Sequence, residues 1–182
     1  TAAGTVLVRN IRTGTPSSTP ELLTGLGSTL FFRADNVTQG KELWKSSYAA
    51  QPVTGAASRH PGPRSSPAVA EGKVVTLGAA GVLSCWNAED GKLAWRNDKF
   101  KEVPQFFTAT SPIIVEGMCV AQLGGQGEGA IVASDLATGN EKWRWSEEAP
   151  EYASPVLLTV EGTKQIVTLT EKSVVGVGVA DG

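Results

Sequence analysis

A lone histidine, two cysteines, an acidic run and a glycine-rich run are the residues of this chain whose types suit chemistry. His60 lies in Ser58-Arg59-His60-Pro61-Gly62-Pro63-Arg64, a basic stretch rich in Pro and Gly. Acid–base or nucleophilic work would need a partner side chain, and the sequence identifies none for it. The stretch therefore reads as an exposed connection. Arg59, His60 and Arg64 form a small positive cluster there, suited to contact with a protein partner. Cys85 and Cys119 each sit in an apolar, strand-like run and read as buried free thiols. With no CxxC and no Cys/His cluster, a structural zinc site is not expected. Leu123-Gly124-Gly125-Gln126-Gly127-Glu128-Gly129 has the glycines of a phosphate loop but not the following Lys-Ser/Thr, so it reads as a hairpin. Glu147-Glu148-Ala149-Pro150-Glu151 reads as a solvated connection rather than a calcium site. Asn36-Val37-Thr38 has the form of a glycosylation sequon, which matters only in a secreted eukaryotic chain. No catalytic, cofactor-binding or metal-binding residue is assigned, and no cofactor is expected.

The bulk properties exclude several classes. A formal net charge of -2 gives no basic field for nucleic acid. Hydrophobic residues make up 41%, enough for a packed core. No run approaches the roughly 18–20 apolar residues of a membrane-spanning helix. The chain starts at Thr1 with no signal-peptide pattern, which reads as a processed or excised piece and leaves targeting unread.

The elements that must position these residues come from an internal repeat. Thr19-Pro20, Ser66-Pro67, Ser111-Pro112 and Ser154-Pro155 open four segments, their prolines separated by 67−20 = 47, 112−67 = 45 and 155−112 = 43 residues. In three segments a Trp follows a Gly four residues on: Gly40 to Trp44, Gly91 to Trp95 and Gly139 to Trp143. The fourth reaches Gly182 without the strand that would follow. The 21 glycines and 10 prolines are spread between short apolar runs, a pattern of many short strands. In the second segment the expected strands are 67–70, 73–78, 82–87 and 92–97. Helical patterning is limited to a short candidate at Pro20-Glu21-Leu22-Leu23. About four strands per period of 40–50 residues is the pattern of β-propeller blades. The fold class is thus all-β, with four antiparallel blade-like repeats at about 15–47, 64–98, 108–146 and 152–182 in one unit, 1–182. The repeated Trp is expected between blades, where a large ring buries much apolar surface. The Pro suits a strand start and the Gly a turn. Asp90 and Asp135, beside repeat glycines, read as turn formers.

Gly81-Val82-Leu83-Ser84-Cys85-Trp86-Asn87-Ala88-Glu89-Asp90-Gly91-Lys92-Leu93-Ala94-Trp95 and Ala133-Ser134-Asp135-Leu136-Ala137-Thr138-Gly139-Asn140-Glu141-Lys142-Trp143 resemble PQQ-like repeats of quinoprotein dehydrogenases and BamB-type outer-membrane assembly lipoproteins. The resemblance covers about 40–182. The first 46 residues, with Glu42-Leu43-Trp44-Lys45-Ser46, resemble the ELWxxDGT repeat of large bacterial surface proteins, also a propeller-type unit. Divergence, a natural chimera and an engineered hybrid all fit this mixture. The resemblance implies a bacterial periplasmic or extracellular setting. The PQQ-dependent enzymes carry a cofactor, a calcium ion, an Asp base, an Arg, a stacking Trp and often a disulfide of neighbouring cysteines. Here only the repeat skeleton matches, and Cys85 and Cys119 are not neighbours.

The expected function is a non-catalytic scaffold or protein-interaction module. The alternatives are a fragment of a PQQ-dependent dehydrogenase and an engineered propeller. Residues 5–11 supply an apolar strand without a blade of its own, suited to completing the last one. Closure follows either as a four-bladed ring or as an eight-bladed ring of two chains. The expectation is the dimer, self-associated through blade edges, since PQQ-like relatives usually carry seven or eight blades.

Overall fold

The computed structural model describes residues 42–182 in full and, in the first repeat, the backbone of strands β1 (Pro20–Leu26) and β2 (Thr29–Ala34). The expected N-terminal strand 5–11 and the sequon at 36–38 lie outside the described residues. The helical candidate at Pro20 is corrected: these residues begin β1, which pairs antiparallel with β2. Two leucines and a glutamate favour a helix only weakly, and a partner strand close in sequence overrides that preference.

Three further antiparallel sheets follow in chain order. The second holds β3 (Ala68–Ala70), β4 (Lys73–Leu77), β5 (Leu83–Asn87) and β6 (Leu93–Asn97). The third holds β7 (Ile113–Val115), β8 (Met118–Leu123), β9 (Ala130–Asp135) and β10 (Glu141–Trp145). The fourth holds β11 (Val156–Val160), β12 (Thr163–Leu169) and β13 (Val174–Gly178). Each is a meander whose spatial order follows the chain. The described residues contain no α-helix, only a five-residue 3₁₀ turn, Gly55–Arg59.

One turn sets each meander's first register. Glu71-Gly72, Glu116-Gly117 and Glu161-Gly162 connect the first two strands of the three sheets, with φ of 50°/71°, 49°/70° and 49°/82°. Two consecutive positive φ values make the tight hairpin whose twist matches its strands, and the second position suits glycine. A bulge sets the last strand. The register shifts between Cys85 and Trp86 opposite β6, and between Glu141 and Trp143 in β10. In both sheets the extra residue directly precedes the Trp. Such a residue kinks the strand and re-aims its neighbour.

The re-aimed indoles join the sheets. Trp44 Nε1 donates to Ala88 O at 2.9 Å, Trp95 Nε1 to Leu136 O at 2.8 Å and Trp143 Nε1 to Val179 O at 2.9 Å. Each acceptor lies three residues before a glycine of the next sheet, on which the ring rests. A Cβ added at Gly139 would stand 2.6 Å from Trp95, and one at Gly182 would stand 2.7 Å from Trp143. Two cores form between sheets. Val75, Leu83, Cys85 and Trp95 pack with Cys119, Ala121, Val132 and Leu136 across sheets 2 and 3. Val120, Ile131 and Trp143 pack with Ile166, Val177 and Val179 across sheets 3 and 4. Both cysteines are free and buried in the first core, as their apolar strand settings imply.

Candidate functional site: the inter-sheet connections

The connections between successive sheets, 45–67, 98–112 and 146–155, hold the residues that the fold does not use within strands. They are tied to one another in two tiers. In one tier Ser66 N donates to Ser111 Oγ and Ser111 N to Ser154 Oγ, both at 2.9 Å. In the other, Arg64 Nη1 donates to Phe106 O, and Phe106 N donates to Tyr152 Oη at 3.1 Å. The rings of Phe106 and Tyr152 lie 6.1 Å apart, tilted by 50°. Phe107 takes φ 66° and closes a turn by donating to Pro104 O at 2.7 Å. A left-handed aromatic residue is strained, and this turn leaves Phe106 outside the core. Phe106 is 48% exposed and Tyr152 37%.

The three residues singled out by charge fall into two roles. The guanidinium of Arg64 turns inward on backbone oxygens: Nε and Nη2 donate to His60 O at 3.0 and 2.7 Å, and Nη2 to Ala57 O at 3.0 Å. It thereby caps the carbonyl end of the 3₁₀ turn and ties that turn to the second connection. The side chains of Arg59 and His60 are exposed. Arg64 is thus a positioning group, and Arg59 and His60 are the free ends of the cluster. Sequence reasoning missed Phe106 and Tyr152. The available signal was Pro104-Gln105-Phe106-Phe107, two aromatics behind a proline with no strand alternation.

A second concavity, of about 650 Å³, lies beside the later connections and is lined by Lys99, Phe100, Glu128, Arg144, Glu148 and Lys172 among others. Three of its charged groups, Glu128, Glu148 and Arg144, are engaged. Glu128 Oε1 accepts from Lys101 N and, at 2.5 Å, from Glu102 N. Glu148 accepts from Thr170 Oγ1 at 2.6 Å and Ser173 Oγ at 2.9 Å, which hold its carboxyl below the usual range. Arg144 pairs with Glu141 at 2.6 Å and lies 5.2 Å from the Phe100 ring. The acidic run 147–151 therefore acts in loop architecture through Glu148. The run 124–129 is the β8–β9 hairpin loop.

The chemistry of a PQQ and calcium site can be tested against the described donors. Asp135 Oδ1 accepts from Thr138 Oγ1 at 2.8 Å and Thr138 N at 2.9 Å, and Asp90 Oδ1 accepts from Lys92 N at 3.0 Å. Both carboxylates hold turns. No group of three His, Cys, Asp or Glu side chains is placed to hold a metal among the described residues. The described donor set does not fit such a site.

Comparisons with known proteins agree with this architecture. Residues 32–182 match the PQQ-repeat family described as outer membrane protein assembly factor BamB. A quinohemoprotein alcohol dehydrogenase, ADHIIG, from Pseudomonas putida HK5 is similar at TM-score 0.54 and 20% identity, covering 81% of this chain and 27% of that one. A europium-containing methanol dehydrogenase is similar at TM-score 0.51 and 20% identity, with coverage of 80% and 27%. The quinohemoprotein alcohol dehydrogenase of Comamonas testosteroni is similar at TM-score 0.50 and 23% identity, with coverage of 70% and 20%. These likenesses concern the propeller fold, and the chain spans about a quarter of the length of these structures. No curated protein sequence matches this chain. Successive antiparallel sheets joined Trp to Gly, together with the profile match over 32–182, place the chain in the PQQ-repeat β-propeller family described as outer membrane protein assembly factor BamB.

Proposed function

We propose that this chain is a non-catalytic protein-interaction module of the bacterial envelope, whose partner contact is the face built by the inter-sheet connections. One observation carries the reading: Arg64, Phe106 and Tyr152 link three successive connections and leave two aromatic rings outside the core. Exposed Phe and Tyr on a pre-ordered scaffold are residue types that anchor protein interfaces. Arg59 and His60 add positive charge beside them, which favours a partner with an acidic rim. The family description points to outer-membrane protein assembly, so the proposed partner is a protein component of that machinery. The setting proposed is periplasmic. Among the described residues no helix is long and apolar enough to cross a membrane.

Titration against purified outer-membrane assembly proteins tests the reading. Binding is expected, weakened at least tenfold by Phe106→Ala or Tyr152→Ala, each a loss of about 1.4 kcal/mol or more. The same chain titrated with PQQ and calcium separates the competing enzyme reading. Cofactor binding with dye-linked alcohol oxidation would replace the proposal with a quinoprotein fragment.

A further inference from the structure

The inter-sheet connections hold a row of side chains with a fixed spacing. Phe106 stands at its centre. Arg64 reaches it from the first connection and Tyr152 from the third, and with neighbours on both sides its ring is still 48% exposed. The guanidinium that holds Phe106 O also holds His60 O, which places Arg59 and His60 beside it, both exposed. The order across the three connections is therefore Arg59 with His60, then the Phe106 ring, then the Tyr152 ring.

The backbone of the row is committed. Phe106 N donates to Tyr152 Oη at 3.1 Å, and Phe106 O accepts from Arg64. Phe107 N donates to Pro104 O at 2.7 Å. An added strand needs free backbone donors, so a partner is read here through side chains. The spacing says which kind of segment fits. The two rings lie 6.1 Å apart. Alternate side chains on one side of an extended chain stand about 6.6–6.8 Å apart, twice the rise per residue. Residues i and i+2 of such a segment can therefore meet one ring each. Side chains one turn apart on a helix are spaced similarly, but a docking helix presents an apolar stripe at least about 100° wide. Among the described residues of connections 45–67, 98–112 and 146–155, Phe106 and Tyr152 are the only large apolar side chains that stand exposed. A row one side chain wide suits a strand, not a helix.

We infer that this row binds an extended segment of the partner protein that carries one acidic and two apolar residues at alternate positions. The apolar side chains lie on Phe106 and Tyr152, and the carboxylate meets Arg59 and His60. Charge at one end of the row fixes which apolar residue meets which ring. The inference rests on the loop-face reading and adds the chemistry of the partner segment to it.

The test titrates capped heptapeptides against the whole chain and reads the backbone amide shifts of residues 60, 106 and 152 by NMR. The probe has Asp, Val and Val at its second, fourth and sixth positions and serine elsewhere. One control moves the last Val to the fifth position, so that the two apolar side chains point to opposite sides of an extended chain. Another replaces the Asp with Lys. The probe is expected to saturate, and each control to bind about fivefold more weakly or worse. Phe106→Ala or Tyr152→Ala is expected to abolish the preference for alternate valines. Both rings are exposed, so these variants keep their fold, checked by circular dichroism. Arg59→Glu is expected to turn the preference towards the Lys control. A probe that does not saturate overturns the inference, as do controls that bind equally well. Tighter binding of a helix-forming peptide with its valines four apart overturns it too. If assembly proteins bind through Phe106 and Tyr152 while the probe does not, the inference falls and the loop-face reading stands.

Discussion

The joint between sheets 2 and 3 and the outward face of sheet 4 come from one repeat, yet they differ in what covers them. At the joint, Trp95 reaches Leu136 O and rests on Gly139, and the core around it is closed. On sheet 4 a comparable apolar surface is open. The difference teaches that blade-to-blade packing, not strand pairing alone, holds this fold. A three- or four-stranded sheet satisfies its own backbone, but it buries only one face until a neighbour arrives. Substitutions should therefore be costly at joints and almost neutral on sheet 4.

The largest effect is expected for Trp95→Ala. Removing a buried indole that also carries a hydrogen bond should cost about 3–5 kcal/mol in urea unfolding. A loss below about 1 kcal/mol would mean that the joint contributes little. Gly139→Ala comes next. Its φ is 76°, and the new Cβ would stand 2.6 Å from the Trp95 ring. Gly127 has φ 89° with nothing within 4 Å. Both substitutions carry the left-handed strain of about 1–2 kcal/mol, but only Gly139→Ala adds the clash. Equal losses at the two sites would break the account of the joint.

The buried thiols give a pH test of the same joint. Burial pushes the Cys85 thiol up to about 11, with the nearby Lys73 opposing it in part. Burial also raises the Cys119 thiol. In the window from pH 9 to about 11 the unfolded chain has lost a thiol proton that the native chain keeps. Stability is then fully present below pH 9 and falls as pH rises through this window. Chemical denaturation at stepped alkaline pH should show a steeper fall for the parent than for Cys85→Ala. Neither thiol should react with a water-soluble alkylating reagent at neutral pH until the chain unfolds. The smallest effect is expected on sheet 4, where Val156→Ala should change the stability of the chain by less than about 0.5 kcal/mol.

The joints were largely legible in the sequence, because Trp and Gly recur at a fixed offset and each needs the other. The turn glutamates 71, 116 and 161 recur every 45 residues and were just as visible. Their spacing alone gave no sign that the carboxylates of Glu71 and Glu116 reach the next sheet. The candidate site was less legible. Charge alone drew attention to Arg64, whereas its guanidinium serves backbone carbonyls, a use that only the folded loop creates. Phe106 and Tyr152 belong to connections without a period, so nothing in strand spacing marked them. The short helical candidate at Pro20 gave way to the strand start that the repeat's opening Pro marks.

The central claim is that this propeller works by presenting surfaces. The most direct test places a photo-reactive amino acid at position 106, with position 174 as the comparison, and identifies adducts formed in the periplasm. The account predicts an outer-membrane assembly protein joined at 106 and not at 174. No protein adduct at 106, while the chain is folded and exported, would contradict it.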